Sequence, residues 1–252
     1  MSNYRKTNWE KFQPVEVYSL VVSGSLKRFP NGYLDKDNCK EIIRYVLLDT
    51  LHMTREEICE KISINFLKKY RIGCFNRMFN YKIADIASYC FPEMDIRPWE
   101  LTKVDNKFWH NPDNRREFLL WVAQKEKLDM TNINDVRKIN ANLLRKHGGS
   151  RSFRDSDGVF SVISLVTGDS IKEWELVKMS KWTEAKAIEA MHWLIEEKLG
   201  WTDEEVYNNL TVHTFYEYNL GGLLKNYCGH RPLRALEIAY PGKFTSLATS
   251  SY

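Results

Sequence analysis

Six histidines, five cysteines and the scattered carboxylates are the side chains from which a catalytic or metal centre would be built, and their spacing offers none. His52, His110, His147, His192, His213 and His230 stand far apart, with no HExxH or HxH pair. Cys39, Cys59, Cys74, Cys90 and Cys228 form no CxxC pair, and no motif suggests a Ser/His/Asp or Cys/His arrangement. There is no P-loop and no GxGxxG fingerprint. Asp155-Ser156-Asp157-Gly158 opens like a calcium loop but lacks the later spaced acids, so it reads as a turn. The expectation is a chain that is not an enzyme, with no catalytic residue, no metal and no cofactor.

The cations are arranged more pointedly. Between Lys61 and Ala84 stand Lys61, Lys68, Lys69, Arg71, Arg77 and Lys82 with no acid. Between Val136 and Arg154 stand Arg137, Lys138, Arg145, Lys146, Arg151 and Arg154, with His147 and again no acid. Between Asn219 and Leu236 stand Lys225, Arg231 and Arg234 with His230. Such runs suit the phosphates of a polyanion. The candidate nucleic-acid-binding residues are therefore Lys68, Lys69, Arg71, Arg77, Lys82, Arg145, Lys146, Ser150, Arg151, Arg154, Lys225, Arg231 and Arg234, and the expected partner is double-stranded DNA. Gly73, Gly148-Gly149 and Gly221-Gly222 offer close backbone approach to phosphate, and Ser150, Ser152 and Asn226 offer hydrogen bonds. Taken singly, each run also reads as a solvated surface.

What places the runs in register is an internal repeat. Pro98-Trp99-Glu100-Leu101 recurs as Glu173-Trp174-Glu175-Leu176, with the tryptophans 75 residues apart. Tyr33, Trp109 and Trp182 are each followed 11 or 12 residues on by Tyr45, Trp121 and Trp193. Six or seven residues further lie Leu51-x-Met53-Thr54, Leu128-x-Met130-Thr131 and Leu199-x-Trp201-Thr202. The chain divides into an extension, 1–24, and three helical repeats of about 75 residues, 25–101, 102–176 and 177–252, the last with a C-terminal tail. The third carries one more acid than base.

These positions need helices. Ala187, Met191, Leu194 and Ile195 share one helical face, as do Phe118, Trp121 and Val122. Thr54 and Thr202 have Glu57 and Glu205 three positions later, a capping box, and Thr131 has Asn134, so second helices are predicted to start at 55, 132 and 203. The basic second half of each repeat reads as two short helices joined by a turn, like a helix-turn-helix. The fold class is all-α, with a possible short strand at VYSLVVSG (Val17–Gly24). The eight tryptophans read mostly as core.

With 252 residues, 43% apolar and 28% charged, the chain has material for a core and is not a disordered polymer. No apolar run approaches the roughly 20 residues of a membrane span. The opening MSNYRKTNWEKF has no secretory apolar core, and the odd, dispersed cysteines suit a reducing cytoplasm.

The segment Leu220–Gly242 (LGGLLKNYCGHRPLRALEIAYPG) resembles the small helical repeat associated with homing endonucleases, through Tyr227, Gly229, Ala235, Leu236 and Ala239. The arrangement is also similar to an uncharacterised tryptophan-repeat family of Gram-positive bacteria and their phages. Arg77–Pro92 fits loosely, and Arg151–Ser164 more loosely still. The resemblance implies sequence-directed DNA binding by a recognition helix in each repeat. It does not imply nuclease activity, since HNH-type and GIY-YIG-type residues are missing. The expected function is a non-enzymatic DNA-binding regulator or architectural factor of phage or mobile-element origin, acting in transcription regulation. The alternative is a protein-interaction module such as a phage-encoded inhibitor of a host protein.

Overall fold

A computed structural model describes residues 9–104, 106–149, 158–176, 179 and 181–244. Its regular structure is helical throughout, with no strand among the described residues. In chain order the α-helices are α1 Pro14–Val22, α2 Lys36–Arg44, α3 Arg55–Lys61, α4 Ile64–Lys69, α5 Ile83–Cys90, α6 Asn106–His110, α7 Pro112–Glu126 and α8 Ile133–Val136. They continue as α9 Ala141–Lys146, α10 Val159–Thr167, α11 Glu173–Leu176, α12 Glu184–His192, α13 Asp203–Asn209, α14 Val212–Glu217, α15 Gly221–Asn226 and α16 Pro232–Ala239. None is long and apolar enough to cross a membrane.

The described residues fall into two compact units, those within Met1–Phe118 and Ala141–Asp155, and those within Leu119–Asn140 and Ser156–Tyr252. The division falls inside α7.

In the first unit, Asp35 caps α2 by accepting the Asn38 amide at 2.7 Å. Cys39, Ile42, Ile43, Val46 and Leu47 are buried at i, i+3, i+4, i+7 and i+8, so one stripe faces the core. The helix runs on as a π-helical turn, Tyr45–Thr50. Thr54 then caps α3 by the predicted box, accepting from the Glu57 amide while Glu57 accepts from Thr54. A 3-10 segment, Gly73–Phe79, leads to α5. Each fully buried Ile, Leu or Phe here stabilises the fold by about 2 kcal/mol.

The stretch read as a possible strand is helix α1. Gln13 and Glu16 form a capping box, Pro14 pre-sets the first turn, and Val17, Tyr18 and Val21 are buried on one side. Three valines and a tyrosine in eight residues favour extended chain locally, and burial on a 3.6-residue period overrides it. This helix, within 1–24, belongs to the first core.

In the second unit, α12 repeats the α2 pattern. Thr183 accepts from the Lys186 amide at 3.3 Å, and Ala187, Ala190, Met191, Leu194 and Ile195 are buried. A π-helical turn, Trp193–Leu199, ends at Gly200, and Thr202 caps α13 by a capping box. The cap predicted at Thr131 lies one residue on. Asn132 accepts from the Asn134 amide at 2.9 Å, whereas the Thr131 hydroxyl donates to Asp129 at 2.7 Å. Asp129 outcompetes the helix start for the threonine.

The tryptophans are structural. Trp99, Trp109, Trp174, Trp182 and Trp193 are buried. Trp99 lies edge-on to Phe118 at 5.5 Å, and Trp174 edge-on to Trp193 at 5.7 Å. The glutamate after each WEL tryptophan folds back. Glu100 accepts the Arg97 amide at 2.9 Å and Glu175 the Lys172 amide at 2.9 Å.

Candidate nucleic-acid interface

Two turns with nearly the same backbone carry cations onto helix starts. In the first unit the 3-10 segment ends at Phe79, and Asn80 and Tyr81 then adopt left-handed conformations with φ of 49° and 61°. Lys82 is extended at φ −97°, ψ 112° and caps α5. In the second unit α15 ends at Asn226, and after Tyr227 and Cys228 the residues Gly229 and His230 are left-handed at 61° and 62°. Arg231 follows at φ −112°, ψ 106° and caps α16. The hydrogen bonds match: Lys82 N–H donates to Phe79 O at 2.9 Å, and Arg231 N–H to Cys228 O at 3.3 Å. The core positions match too, Ile86 and Ala87 in one helix against Ala235 and Leu236 in the other.

Only Gly229 takes a left-handed φ without cost. Asn80 tolerates it, while Tyr81 holds it against a penalty of about 1–2 kcal/mol. A strained residue kept with its ring outside is a pointer to use. Tyr81 is 61% exposed.

A cleft adjoins each turn. In the first unit a cleft of about 560 Å³ is lined by Tyr81, Lys82, Ile83, Phe108, Lys103 and Asn111 among others, with Asp85 and Lys107 also at its wall. In the second a cleft of about 650 Å³ is lined by Tyr207, His230, Arg231, Leu233, Arg234 and Phe244, with Glu237 beside them. The Glu237 carboxylate accepts the Gly242 amide at 3.1 Å. Leu233 is 58% exposed, a large apolar side chain between two guanidinium-bearing residues.

The other candidate residues are spread more widely. Lys68 and Lys69 close α4, and Lys69 lies 5.6 Å from the Tyr70 ring. Arg71 donates from Nη1 to the Val21 carbonyl at 2.9 Å, tying α1 down. Arg77 is exposed in the 3-10 segment. Arg145 and Lys146 close α9, and Arg145 donates to Asn142 at 3.0 Å. Lys225 is exposed in the last turn of α15. Ser150, Arg151 and Arg154 lie outside the described residues, as do Ser152 and Asp155–Asp157 of the calcium-loop resemblance. Of the sequence candidates, Lys82 stands in the first cleft and Arg231 with Arg234 in the second. Tyr81, Lys103, Asn111 and Leu233 were missed. The lysine and asparagine lie outside the acid-free runs, and nothing in a run of bases singles out an apolar neighbour.

The glycines named for phosphate approach have a packing role of their own. A side chain at Gly148 would overlap the Trp99 carbonyl oxygen, at Gly149 the Phe118 ring, at Gly221 the Tyr216 ring, at Gly222 the Met179 carbonyl and at Gly73 the stem of Lys68. The space beside these backbones is filled by the protein's own atoms, so glycine serves packing here.

Burial pushes the thiols of Cys39 and Cys90 up to about 12, which leaves them without thiolate near neutrality. No three metal-ligating side chains converge among the described residues.

Residues 15–96 are similar to a family described as "Protein of unknown function (DUF4046)". The matched stretch runs from α1 to just past α5, the residues that build the first core. No curated protein matches the chain. No solved structure matches it.

Proposed function

We propose that this chain binds DNA without catalysing a reaction on it, through the turn–helix pairs Lys82–α5 and Arg231–α16. The binding element is one repeat of about 75 residues, three in tandem over 25–101, 102–176 and 177–252, with a helix-turn-helix-like second half. One observation carries this reading. The same left-handed pair, extended cation and helix start occur twice. Lys82 and Arg231 are 149 residues apart, close to twice the 75 that separate Trp99 from Trp174. Each cation stands at a helix N-terminus, where the free amides and dipole also favour phosphate. Such a protein suits a regulator or architectural factor in the cytoplasm.

The test is fluorescence anisotropy of a labelled mixed-sequence DNA fragment, offered as duplex and as separated strands, at roughly 50 and 200 mM salt. Binding that falls steeply with salt is expected, and the triple variant Lys82→Ala/Arg231→Ala/Arg234→Ala should flatten the logarithmic slope by about 2–3. Equal binding by the triple variant sinks the proposal.

A second reading, a protein-binding surface, is favoured by α14, where Val212 and Tyr216 lie exposed at i and i+4. It predicts a partner captured equally at low and high salt, with no retention on heparin.

A further inference from the structure

We propose that the clefts beside the two turns receive unpaired nucleobases, so that a single strand is bound in preference to the closed duplex. This rests on the DNA-binding reading and narrows it. A closed duplex presents phosphates and base edges, and lysines or arginines alone on an open surface would serve it. Both clefts instead set aromatic and aliphatic surface beside the cations. In the first, Tyr81 stands 61% exposed at the rim, Phe108 and Ile83 line the wall, and Asn111 brings an amide. Lys82 and Lys103 stand at the same cleft. In the second, Tyr207 and the exposed Leu233 take the apolar role, Phe244 being a buried core ring at the cleft wall, and Arg231 with Arg234 the cationic one. A flat ring with a phosphate on either side matches that mixture: the base stacks on the aromatic wall while its backbone lies along the cations. Charge selects the occupant: against one carboxylate each, Asp85 in the first cleft and Glu237 in the second, the linings bring Lys82, Lys103 and Lys107, and Arg231 with Arg234, an excess of cations that suits backbone phosphate.

The strain at Tyr81 sharpens the argument. Gly229 of the second turn matches Asn80, and the match of Tyr81 is His230, another left-handed side chain at a cleft wall. Keeping a tyrosine at φ 61° holds an aromatic ring at the cleft mouth. Tyr81→Gly therefore removes the ring and relieves the backbone, so the variant folds at least as well as the parent.

The experiment measures anisotropy of the full chain with a labelled strand of mixed sequence, as DNA, as RNA and as the DNA duplex. Expected are affinity for at least one strand about tenfold above that for the duplex, and a several-fold loss in strand affinity for Tyr81→Gly and for Leu233→Ala that exceeds their loss in duplex affinity. The RNA and DNA strands tell which sugar is preferred. Duplex affinity equal to or above that of both strands, or variants that keep full strand affinity, overturns the inference while leaving DNA binding in place. No binding of any form at low salt overturns both.

Discussion

The carbonyl oxygen of Trp99 occupies the place that a side chain on Gly148 would need. Gly148 is also left-handed, with φ of 87°. Two independent costs therefore meet there, backbone strain and collision with a main-chain atom. Gly24 is left-handed too, at 83°, but a side-chain carbon added there would have nothing within 4 Å. Gly24→Ala is expected to cost about 1 kcal/mol and Gly148→Ala about 3 kcal/mol or more, measured as the shift in urea unfolding. Equal losses would mean that the Trp99 contact yields easily.

Thr54 and Thr202 both cap their helices and receive a glutamate in return. Alanine at either should lower stability by about 1 kcal/mol. Thr131→Ala should cost less, since Asn132 holds that cap. Circular dichroism melts of the three variants check the ranking, and a Thr131→Ala loss matching the others would contradict it.

Much of this was legible in the sequence, for identifiable reasons. The α2 and α12 stripes follow from apolar spacing, and the Thr54 and Thr202 caps from a short-range rule that needs only four residues. What was not legible depended on competing partners, near or far in the chain. Asp129 took the Thr131 hydroxyl. Phe118 and Trp99 filled the space a side chain would need at Gly149 and Gly148, so glycine is required there by packing, which the sequence does not show. The strand suggestion at Val17–Gly24 failed because burial against α2, unseen in a local window, set the period. The left-handed pair Asn80–Tyr81 has no glycine to announce it, and only its likeness to Gly229–His230 in backbone shows the two turns to be alike.

Acid should destabilise the fold through carboxylates that the folded chain holds in their charged form. The Lys61 ammonium keeps the Glu57 carboxyl below its ordinary range, the Thr202 amide does so for Glu205, and the Lys138 ammonium for Asp135. A lowered folded value means the contribution is complete above the unfolded value and is lost as protons bind on the way down. The urea midpoint should therefore be flat from about pH 7 to about pH 5 and fall below the glutamate value of 4.5. Glu205→Gln should blunt the fall. A midpoint that held or rose down to about pH 3.5 would refute this.

Thiol reactivity separates Cys74 from the other cysteines. Cys74 is exposed, while Cys39, Cys59, Cys90 and Cys228 are buried. Burial raises all five thiols, Cys39 and Cys90 most, to about 12. A disulfide reagent near neutral pH should label one thiol per native chain quickly and the rest only on unfolding. Loss of the fast phase in Cys74→Ser assigns it, and two or more fast thiols would show that the core opens.

Arg71 and Lys82 lie in the same basic run, and the structure gives them different work. Arg71 donates to the Val21 carbonyl at 2.9 Å and so fastens α1 to the first core. Lys82 is exposed at the start of α5 and lines the first cleft. Arg71→Ala should lower stability by about 1 kcal/mol, because the α1 carbonyl loses its side-chain donor and keeps the Gly24 amide at 3.3 Å. It should leave the salt dependence of DNA binding unchanged. Lys82→Ala should do the reverse: no change in the urea midpoint, and a slope in log affinity against log salt smaller by about 0.7–0.9, the share of one phosphate contact. Measuring both quantities on both variants separates a cation that holds the protein together from one that meets the ligand. If Lys82→Ala left the slope untouched while Arg71→Ala reduced it, the binding surface would lie along α4 and its C-terminal turn instead of at the α5 turn.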